Sequence, residues 1–243
     1  MDIYNQILSN KARGEKQIAF LVDPDKFTGD QSRKFIKAMQ QHPPHLILVG
    51  GSLISTPITP LVSFLKENTD IPVVLYPGHP THVTPKADAL LFLSMISGRN
   101  PDLLIGSHIV AAPLIKQYNL ETIATGYMLI DGGVPTSVEY MSQTRPIPAE
   151  KTDIAVATAL AGEMLGLKMI YMDAGSGALN PVSAQMIAAV KQNCSVPLMI
   201  GGGITTPQKL ANAYDNGADL VVIGNALEKD PGLLKDFMDI SRK

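Results

Sequence analysis

Three glycine-rich segments in the last third of the chain are well suited to bind an anion. They read Gly175-Ser176-Gly177, Gly201-Gly202-Gly203 and Gly224-Asn225, and each follows a short apolar run. Glycine lets backbone N–H groups approach a phosphate closely, and the N-terminus of a following helix adds positive partial charge. Each segment alone is compatible with a tight turn, but three at consecutive strand ends predict a phosphate site.

A second group of polar residues lies nearer the N-terminus and offers oxygen ligands. Asp23-Pro24-Asp25-Lys26 follows one apolar run, and Gly50-Gly51-Ser52 follows the next. Carboxylate and hydroxyl oxygens suit Mg²⁺, which needs few protein ligands when a substrate phosphate supplies the others. Alternatively, Asp23 or Asp25 caps a helix and Ser52 belongs to a turn, so the residues alone leave both interpretations open.

Three histidines, His79, His82 and His108, are further candidates for metal ligands. His79 and His82 lie in a segment with proline neighbours and no acidic or cysteine partner nearby. We therefore expect solvated histidines. The single cysteine, Cys194, can form neither an internal disulfide nor a cysteine metal cluster, which agrees with a reducing cytoplasm.

These segments need a scaffold that brings distant parts of the chain to one rim. Short runs rich in Val, Ile, Leu and Met alternate with stretches of helical periodicity, a pattern typical of buried parallel strands joined by crossover helices. Eight alternations predict an α/β fold, a (β/α)8 TIM barrel, formed by a single domain over residues 1–243. The predicted strands are 17–22, 45–49, 72–76, 87–93, 122–130, 168–173, 196–200 and 218–223.

The barrel gives the polar segments a common location. Active sites of this fold lie at the C-terminal ends of the strands, so the segments described above converge on one rim. The stretch 132–148 lacks periodicity and contains Pro, Gly and Ser, and we expect it to be a mobile loop over that rim. The predicted helices include 57–68, 101–118, 149–165, 181–193, 207–216 and 230–241.

Charge and hydropathy argue against nucleic-acid binding and against a transmembrane segment. With 20 basic and 22 acidic residues the formal net charge is -2, so the chain has no overall positive field for nucleic acid. No apolar stretch reaches the roughly 18 residues of a transmembrane helix, and residues 1–14 lack the apolar core of a signal peptide. We expect a cytoplasmic protein without a transmembrane segment that binds its anions locally.

Several longer motifs together resemble the geranylgeranylglyceryl phosphate synthase family over nearly the whole chain. Enzymes of that family are phosphate-binding barrels that join a polyprenyl diphosphate to sn-glycerol 1-phosphate, the first step of ether-lipid synthesis in archaea. The motifs are LVDPDK at 21–26, VGGS at 49–52, YPG at 76–78, TGY at 125–127, YMDAGSGA at 171–178, GGGI at 201–204 and VIGNA at 222–226.

The resemblance implies roles for individual residues. It assigns Mg²⁺, the implied cofactor, to Asp23 and Ser52, with Asp25 beside them. Many members carry glutamate where this chain has Asp173, which is one methylene shorter. The residues implied to bind glycerol 1-phosphate are Tyr171, Met172, Asp173, Ala174, Gly175, Ser176, Gly177, Gly202, Gly203, Gly224 and Asn225.

The implied reaction joins the C3 hydroxyl of glycerol 1-phosphate to C1 of a geranylgeranyl chain and releases diphosphate. Mg²⁺ would neutralise the leaving diphosphate, and Asp173 with Tyr171 would orient the hydroxyl and accept its proton. Lys26 and Arg99 are candidates for further diphosphate contacts because of their place at the rim. The candidates for an apolar trough that holds the prenyl tail are Tyr76, Pro77, Phe92, Met95, Ile96 and Tyr127.

Other interpretations stay open at this point. A flavin-dependent oxidoreductase or a sugar-phosphate isomerase would share the phosphate loops, and a non-catalytic binder would share the fold. The same prenyl transfer with heptaprenyl diphosphate is a further alternative, because the sequence does not measure the length of the trough. Since family members form dimers or hexamers, we expect a homo-oligomer.

Overall fold

Buried parallel strands alternate with helices in the computed structural model, which describes residues 2–27 and 29–242. The apolar runs form strands because branched apolar side chains pack well on a sheet that is covered on both faces. The strands are β1 (Gln17–Val22), β2 (Leu46–Gly51), β3 (Val73–Pro77), β4 (Ala89–Met95), β5 (Glu121–Leu129), β6 (Met169–Asp173), β7 (Leu198–Gly201) and β8 (Leu220–Ile223). The α-helices are α1 (Ile3–Ala12), α2 (Gly29–Gln41), α3 (Ile58–Asn68), α4 (Ser107–Gln117), α5 (Ser137–Ser142), α6 (Thr152–Met164), α7 (Ala184–Asn193), α8 (Pro207–Asp215), α9 (Asn225–Lys229) and α10 (Leu233–Ser241).

The strands close into one barrel in chain order, and β8 pairs with β1. Each neighbouring pair is parallel; in β1 and β2, for example, Val22 lies opposite Val49. The C-terminal ends of the strands therefore meet at one rim. The predicted (β/α)8 barrel is confirmed, and each predicted strand overlaps an observed one.

Side chains along each strand point alternately into the barrel interior and into an outer layer beneath the helices. On β6, Tyr171 packs with the inner side chains, whereas Ile170 and Met172 pack in the outer layer. Because successive strand residues point to opposite faces, Asp173 shares the inner face with Tyr171. Of the predicted ligand residues on β6, Tyr171 and Asp173 thus point toward the barrel axis, and the Met172 side chain does not.

The stretch predicted as one helix over 101–118 has two parts. It begins as a π-helical segment, Asp102–Gly106, and continues directly as α4. In the part of the chain that the structure describes, no helix is both long enough and apolar enough to span a bilayer.

The stretch 132–148, predicted to be a mobile loop without regular structure, contains the short helix α5. The Thr136 hydroxyl caps this helix by accepting a hydrogen bond from the Glu139 N–H at 3.4 Å. Ile147 then returns to the barrel and forms a parallel bridge with Ile130. The prediction was wrong for this helix. The sequence did contain its start signal, since Thr136 is followed three residues later by Glu139.

The position of Tyr171 in the barrel depends on a small neighbour on β7. A methyl group added at Gly201 would lie 2.3 Å from the Tyr171 hydroxyl oxygen. We expect Gly201→Ala to displace the tyrosine and to lower the free energy of unfolding by about 1–3 kcal/mol, the usual cost of overpacking. Urea denaturation measures this loss.

Gly51→Ala, at the end of β2, is the matched control for Gly201→Ala. Its added methyl group would come no closer than 3.6 Å to its nearest neighbour, Ile54, and Gly51 has no positive φ. The control should change the free energy of unfolding by less than about 0.5 kcal/mol. Equal losses in the two variants would contradict this account of Gly201.

Candidate active site

A buried carboxylate, Asp173, lies at the C-terminal end of β6 and only 7% of the residue is exposed. One carboxylate oxygen accepts a hydrogen bond from the Gly175 N–H at 2.8 Å, and the other accepts one from the Tyr127 hydroxyl at 2.7 Å. Each of the two carboxylate oxygens is thus held by a donor from a different part of the structure.

Burial raises the pKa of Asp173 because an apolar environment disfavours the charged form. Hydrogen bonds from Tyr127, the Gly175 N–H, Tyr171 and Tyr76 act in the opposite direction, and the net shift of the pKa is upward. A carboxylate with a raised pKa is a stronger proton acceptor than an exposed one. Asp173 therefore has the properties of a general base.

Three tyrosine rings pack around this carboxylate. Tyr127 of β5 lies opposite Tyr171 of β6, and their rings meet edge to face with centroids 5.2 Å apart. The Tyr76 ring meets the Tyr171 ring at 6.0 Å. Burial raises the pKa of each of these hydroxyls, and the charge of Asp173 raises it further. All three hydroxyls therefore keep their protons and can donate hydrogen bonds.

The glycine-rich segments after β6 and β7 are in backbone contact. The Ala174 N–H donates to the Gly201 carbonyl at 3.0 Å. A methyl group at Gly202 would lie 2.6 Å from the Gly175 nitrogen, and the φ of +78° at Gly202 also disfavours a side chain. Gly203 has a φ of +69°. Glycine is required here for both the turn and the close approach.

The segment after β8 joins this group of loops. The Ser176 hydroxyl donates to the Asn225 side-chain oxygen at 3.1 Å, which links the loops after β6 and β8. Within residues 2–27 and 29–242, the N–H groups of Ser176, Gly177 and Asn225 donate to no protein group. The structure thus brings the three predicted glycine-rich segments together, with unpaired donors suited to an anion.

The two predicted metal ligands follow the paired strands β1 and β2 and are both partly exposed. One oxygen of Asp23 accepts a hydrogen bond from the Asp25 N–H at 3.0 Å, and the other lies 3.3 Å from the Lys26 ammonium. Ser52 also lines a cavity that is described below. Among the described residues, no three His, Cys, Asp or Glu side chains cluster as a metal site.

Three other polar residues that the sequence placed at this rim have protein partners. Asp25 accepts hydrogen bonds from the N–H groups of Ser55 at 2.9 Å and Thr56 at 2.7 Å. The Thr56 side chain, followed by these two N–H groups, lowers the pKa of Asp25. Asp25 therefore ties the loop after β1 to the loop after β2. The Lys26 ammonium also contacts a carboxylate of α9 at 3.1 Å, and the exposed Arg99 donates to the preceding carbonyl at 2.7 Å.

An apolar cavity of about 310 Å³ opens beside the tyrosines, between β3, β4 and α4. Ile96, one of the predicted trough residues, packs instead in the outer layer next to Gly126 and Gly162. Ile96 is not among the residues that line the cavity. The predicted trough residues that do line it are Tyr76, Pro77, Phe92, Met95 and Tyr127.

Helix α4 and the π-helical segment before it supply a cavity wall that the sequence analysis missed. The cavity-lining residues of this segment are Leu103, Ser107, His108, Ala111 and Ile115. Their helical spacing was the sequence signal that they share one face.

The histidines differ in burial. His79 is exposed and His82 is half-buried, but His108 is buried, with its Nε2 atom 3.1 Å from the Ser94 hydroxyl and its ring against Phe92. Burial lowers the pKa of His108, which favours a neutral imidazole. The prediction of a solvated histidine is wrong for His108, because it lies on the cavity face of α4.

Comparison with known proteins identifies similar sequences and structures. The model of the PcrB family matches residues 10–241. A geranylgeranylglyceryl phosphate synthase from Chitinophaga pinensis is 49% identical over 242 residues, covering 98% of this chain and 94% of the relative. One from Methanosphaera stadtmanae is 35% identical, covering 99% of this chain and 98% of the relative.

Two solved structures are similar over the full chain. Wild-type GGGPS from Thermoplasma volcanium has a TM-score of 0.90 and 30% identity, covering 100% of this chain and 97% of that chain. The (S)-3-O-geranylgeranylglyceryl phosphate synthase from Thermoplasma acidophilum, in complex with its substrate sn-glycerol-1-phosphate, has a TM-score of 0.91 and 27% identity. It matches 100% of this chain and 98% of that chain.

Asp173 is expected to destabilise the fold at neutral pH. Because burial raises the pKa of Asp173, the folded chain binds the carboxyl proton more tightly than the unfolded chain does. The stability that comes from this tighter proton binding is lost as pH rises from the pKa of the unfolded state to that of the folded state. We expect Asp173→Asn to unfold at higher urea concentration than the wild type at pH 7. The difference should shrink below about pH 3.9, the pKa of an unfolded aspartate.

Asp219→Asn is the control for Asp173→Asn, since Asp219 is also 7% exposed but pairs with the Lys191 ammonium at 2.6 Å. This control should be less stable than the wild type at pH 7, because the substitution leaves a partly buried ammonium without its ion pair. If Asp173→Asn is destabilised in the same way, the buried carboxylate does not carry the cost assigned to it.

Proposed function

The chain belongs to the PcrB family, and we propose that it transfers the geranylgeranyl group of geranylgeranyl diphosphate to the C3 hydroxyl of sn-glycerol 1-phosphate. Diphosphate is released and an ether bond forms. The family resemblance predicted from the motifs is confirmed, and the names of the relatives bear out a prenyltransferase.

The observation that carries this proposal is the place of Asp173 between two different binding surfaces. Its hydrogen bond from Gly175 connects it to the glycine-rich loops, and its hydrogen bond from Tyr127 connects it to the apolar cavity. A phosphorylated alcohol at the loops and an apolar chain in the cavity would therefore meet at the carboxylate. The complex of the Thermoplasma acidophilum enzyme with sn-glycerol-1-phosphate supports this choice of acceptor.

The chemical step needs a base for the glycerol hydroxyl. As the C3 oxygen forms its bond to C1 of the prenyl chain, the bond from C1 to the diphosphate oxygen breaks, and the hydroxyl proton passes to Asp173. A positioned base contributes about 10²–10⁴-fold to such a step. Tyr171, whose hydroxyl stays protonated, donates rather than accepts, so its role is to orient the acceptor.

The phosphate of the acceptor fits the loops after β6, β7 and β8. Ser176, Gly177 and Asn225 offer unpaired N–H groups there, and Gly202 and Gly203 keep the loop after β7 free of side chains. Such a nest of backbone donors binds an anion without a fixed cation. The remaining predicted ligands, Ala174, Gly175 and Gly224, shape the same turns.

Magnesium is the proposed cofactor, and the oxygen donors present are compatible with it. Asp23 and Ser52 are partly exposed, follow neighbouring strands and offer hard oxygen ligands. Since these two residues offer only two side-chain ligands, diphosphate and water would supply the others. When bound, Mg²⁺ supplies positive charge for the departing diphosphate.

The apolar cavity provides a place for the prenyl chain. Its walls come from β3, β4 and α4, and its lining also includes the partly exposed Ser52, one of the proposed metal ligands. A diphosphate bound beside Ser52 would place its prenyl chain in the cavity. Burial of the chain supplies about 25 cal/mol per Å² of apolar surface removed from water.

The direct test is incubation with labelled sn-glycerol 1-phosphate, geranylgeranyl diphosphate and Mg²⁺, followed by extraction into organic solvent. Farnesyl and heptaprenyl diphosphates run in parallel rank the donors, and a chelator tests the metal. Extracted label supports the proposal, whereas no extracted label with any donor removes it. A homo-oligomer and a cytoplasmic location stay predictions from the sequence.

A charge at the phosphate loops should weaken acceptor binding. Ser176→Asp places a carboxylate among the proposed phosphate donors, and we expect the KM for glycerol 1-phosphate to rise by at least about tenfold through like-charge repulsion. The KM for the prenyl donor should change little. Steady-state kinetics measure both values.

Ser9→Asp is the matched control for Ser176→Asp, since it adds the same charge on α1, which precedes the barrel, and leaves the rim unchanged. It should leave both KM values at the wild-type level. A KM for glycerol 1-phosphate that stays unchanged in Ser176→Asp would place the phosphate elsewhere.

Filling the apolar cavity should weaken donor binding selectively. Ala111 on α4 lines the cavity, and its neighbour Ala112 is exposed on the same helix. We expect Ala111→Phe to raise the KM for geranylgeranyl diphosphate by about tenfold, since its ring would occupy the space of the chain. Ala112→Phe should not, and equal effects of the two variants would argue against a tail in this cavity.

A further inference from the structure

Tyr127 has a connection to Asp173 that the sequence motifs did not reveal. Its hydroxyl donates to a carboxylate oxygen at 2.7 Å, and both residues are buried, at 2% and 7% exposure. The two side chains come from neighbouring parallel strands, where Tyr127 lies opposite Tyr171, two residues before Asp173. The barrel register therefore fixes the distance between this donor and the carboxylate.

The Tyr127 ring is buried in the inner layer of the barrel, with 2% of the residue exposed. It meets the Tyr171 ring edge to face, with the ring planes at 88°. Tyr127 is also one of the residues that line the apolar cavity. A ring packed in this way has little freedom to rotate away, so the hydroxyl is presented to Asp173 before any substrate binds.

The two oxygens of Asp173 are engaged by different parts of the structure. The Gly175 N–H belongs to the loop after β6, which the proposed function places against the phosphate. The Tyr127 hydroxyl instead belongs to the cavity. Of these two donors, the Tyr127 hydroxyl can be removed by substitution without changing the glycine-rich loops.

We propose that Tyr127 is a positioning residue, whose hydroxyl keeps the Asp173 carboxylate ionised and directs it toward the end of the prenyl cavity. This inference rests on the proposed function, in which Asp173 accepts the proton of the glycerol hydroxyl. Tyr127 neither gives nor receives that proton. It acts by stabilising the charged form of a carboxylate that burial would otherwise protonate.

The electrostatics agree with this division of roles. Burial raises the pKa of Tyr127 well above its usual range, and the neighbouring Asp173 charge raises it further. Hydrogen bonds, with that from Tyr127 foremost, lower the pKa of Asp173 against the larger effect of its burial. Tyr127 thus keeps its proton and donates it to the hydrogen bond with Asp173.

The test is the pH dependence of kcat/KM for Tyr127→Phe, which removes one hydroxyl and keeps the ring. Loss of the donor raises the pKa of Asp173, so we expect the acid limb of the profile to move to higher pH by about one unit. At pH values below the limb, kcat/KM should fall about tenfold, and it should recover above the limb. A uniform loss at every pH, with the limb unmoved, would overturn the proposal.

Tyr214→Phe is the matched control. Tyr214 is also a buried tyrosine, and its hydroxyl donates at 2.7 Å to the Gln17 carbonyl, at the start of β1 and away from the rim. Its loss should affect thermal stability and leave the acid limb in place. A limb that moves in both variants would mean that a general change in the barrel, and not the contact with Asp173, is responsible.

A measurement without turnover separates this proposal from the proposed function. Infrared titration follows the protonated carboxyl band that Asp173→Asn removes, in the wild type and in the Tyr127→Phe background. We expect a higher titration midpoint in Tyr127→Phe. Absent prenyl transfer with a shifted midpoint would reject the reaction and keep the Tyr127 interaction, whereas equal midpoints would reject the Tyr127 interaction whatever the activity.

Discussion

Burial of the Asp173 carboxylate inside an apolar barrel imposes requirements on several surrounding residues. A buried charge needs hydrogen-bond donors, and Tyr127 and the Gly175 N–H provide one for each oxygen. Both donors depend on the parallel register of β5 and β6 and on the turn after β6. Tyr171, which packs against Tyr127, in turn requires a glycine at position 201.

The hydrogen bonds of Asp173 connect it to two different chemical environments. On the polar side, the loops after β6, β7 and β8 expose backbone donors, and their glycines permit contacts that a methyl group would block. On the apolar side, β3, β4 and α4 enclose a cavity. A barrel whose strand ends share one rim allows an alcohol phosphate and a long hydrocarbon to meet at a single carboxylate.

The sequence predicted the features that are encoded by neighbouring residues, namely the strands and the glycine-rich loops. Alternating apolar runs identified the barrel, and the glycine-rich segments identified the loops that meet at its rim. It did not predict contacts that depend on register or on the rotation of a helix. The bond between Tyr127 and Asp173 joins different strands, His108 is buried because of the face of α4 on which it lies, and Ile96 points away from the cavity beside Met95.

The central claim is that acceptor, base and prenyl chain meet at Asp173. A crystal structure with sn-glycerol 1-phosphate and a non-reactive thio analogue of geranylgeranyl diphosphate tests it most directly. We expect the C3 hydroxyl within hydrogen-bond distance of Asp173, the phosphate at the loops after β6, β7 and β8, and the prenyl chain in the cavity beside α4. A phosphate bound elsewhere, or a prenyl chain outside the cavity, would contradict it.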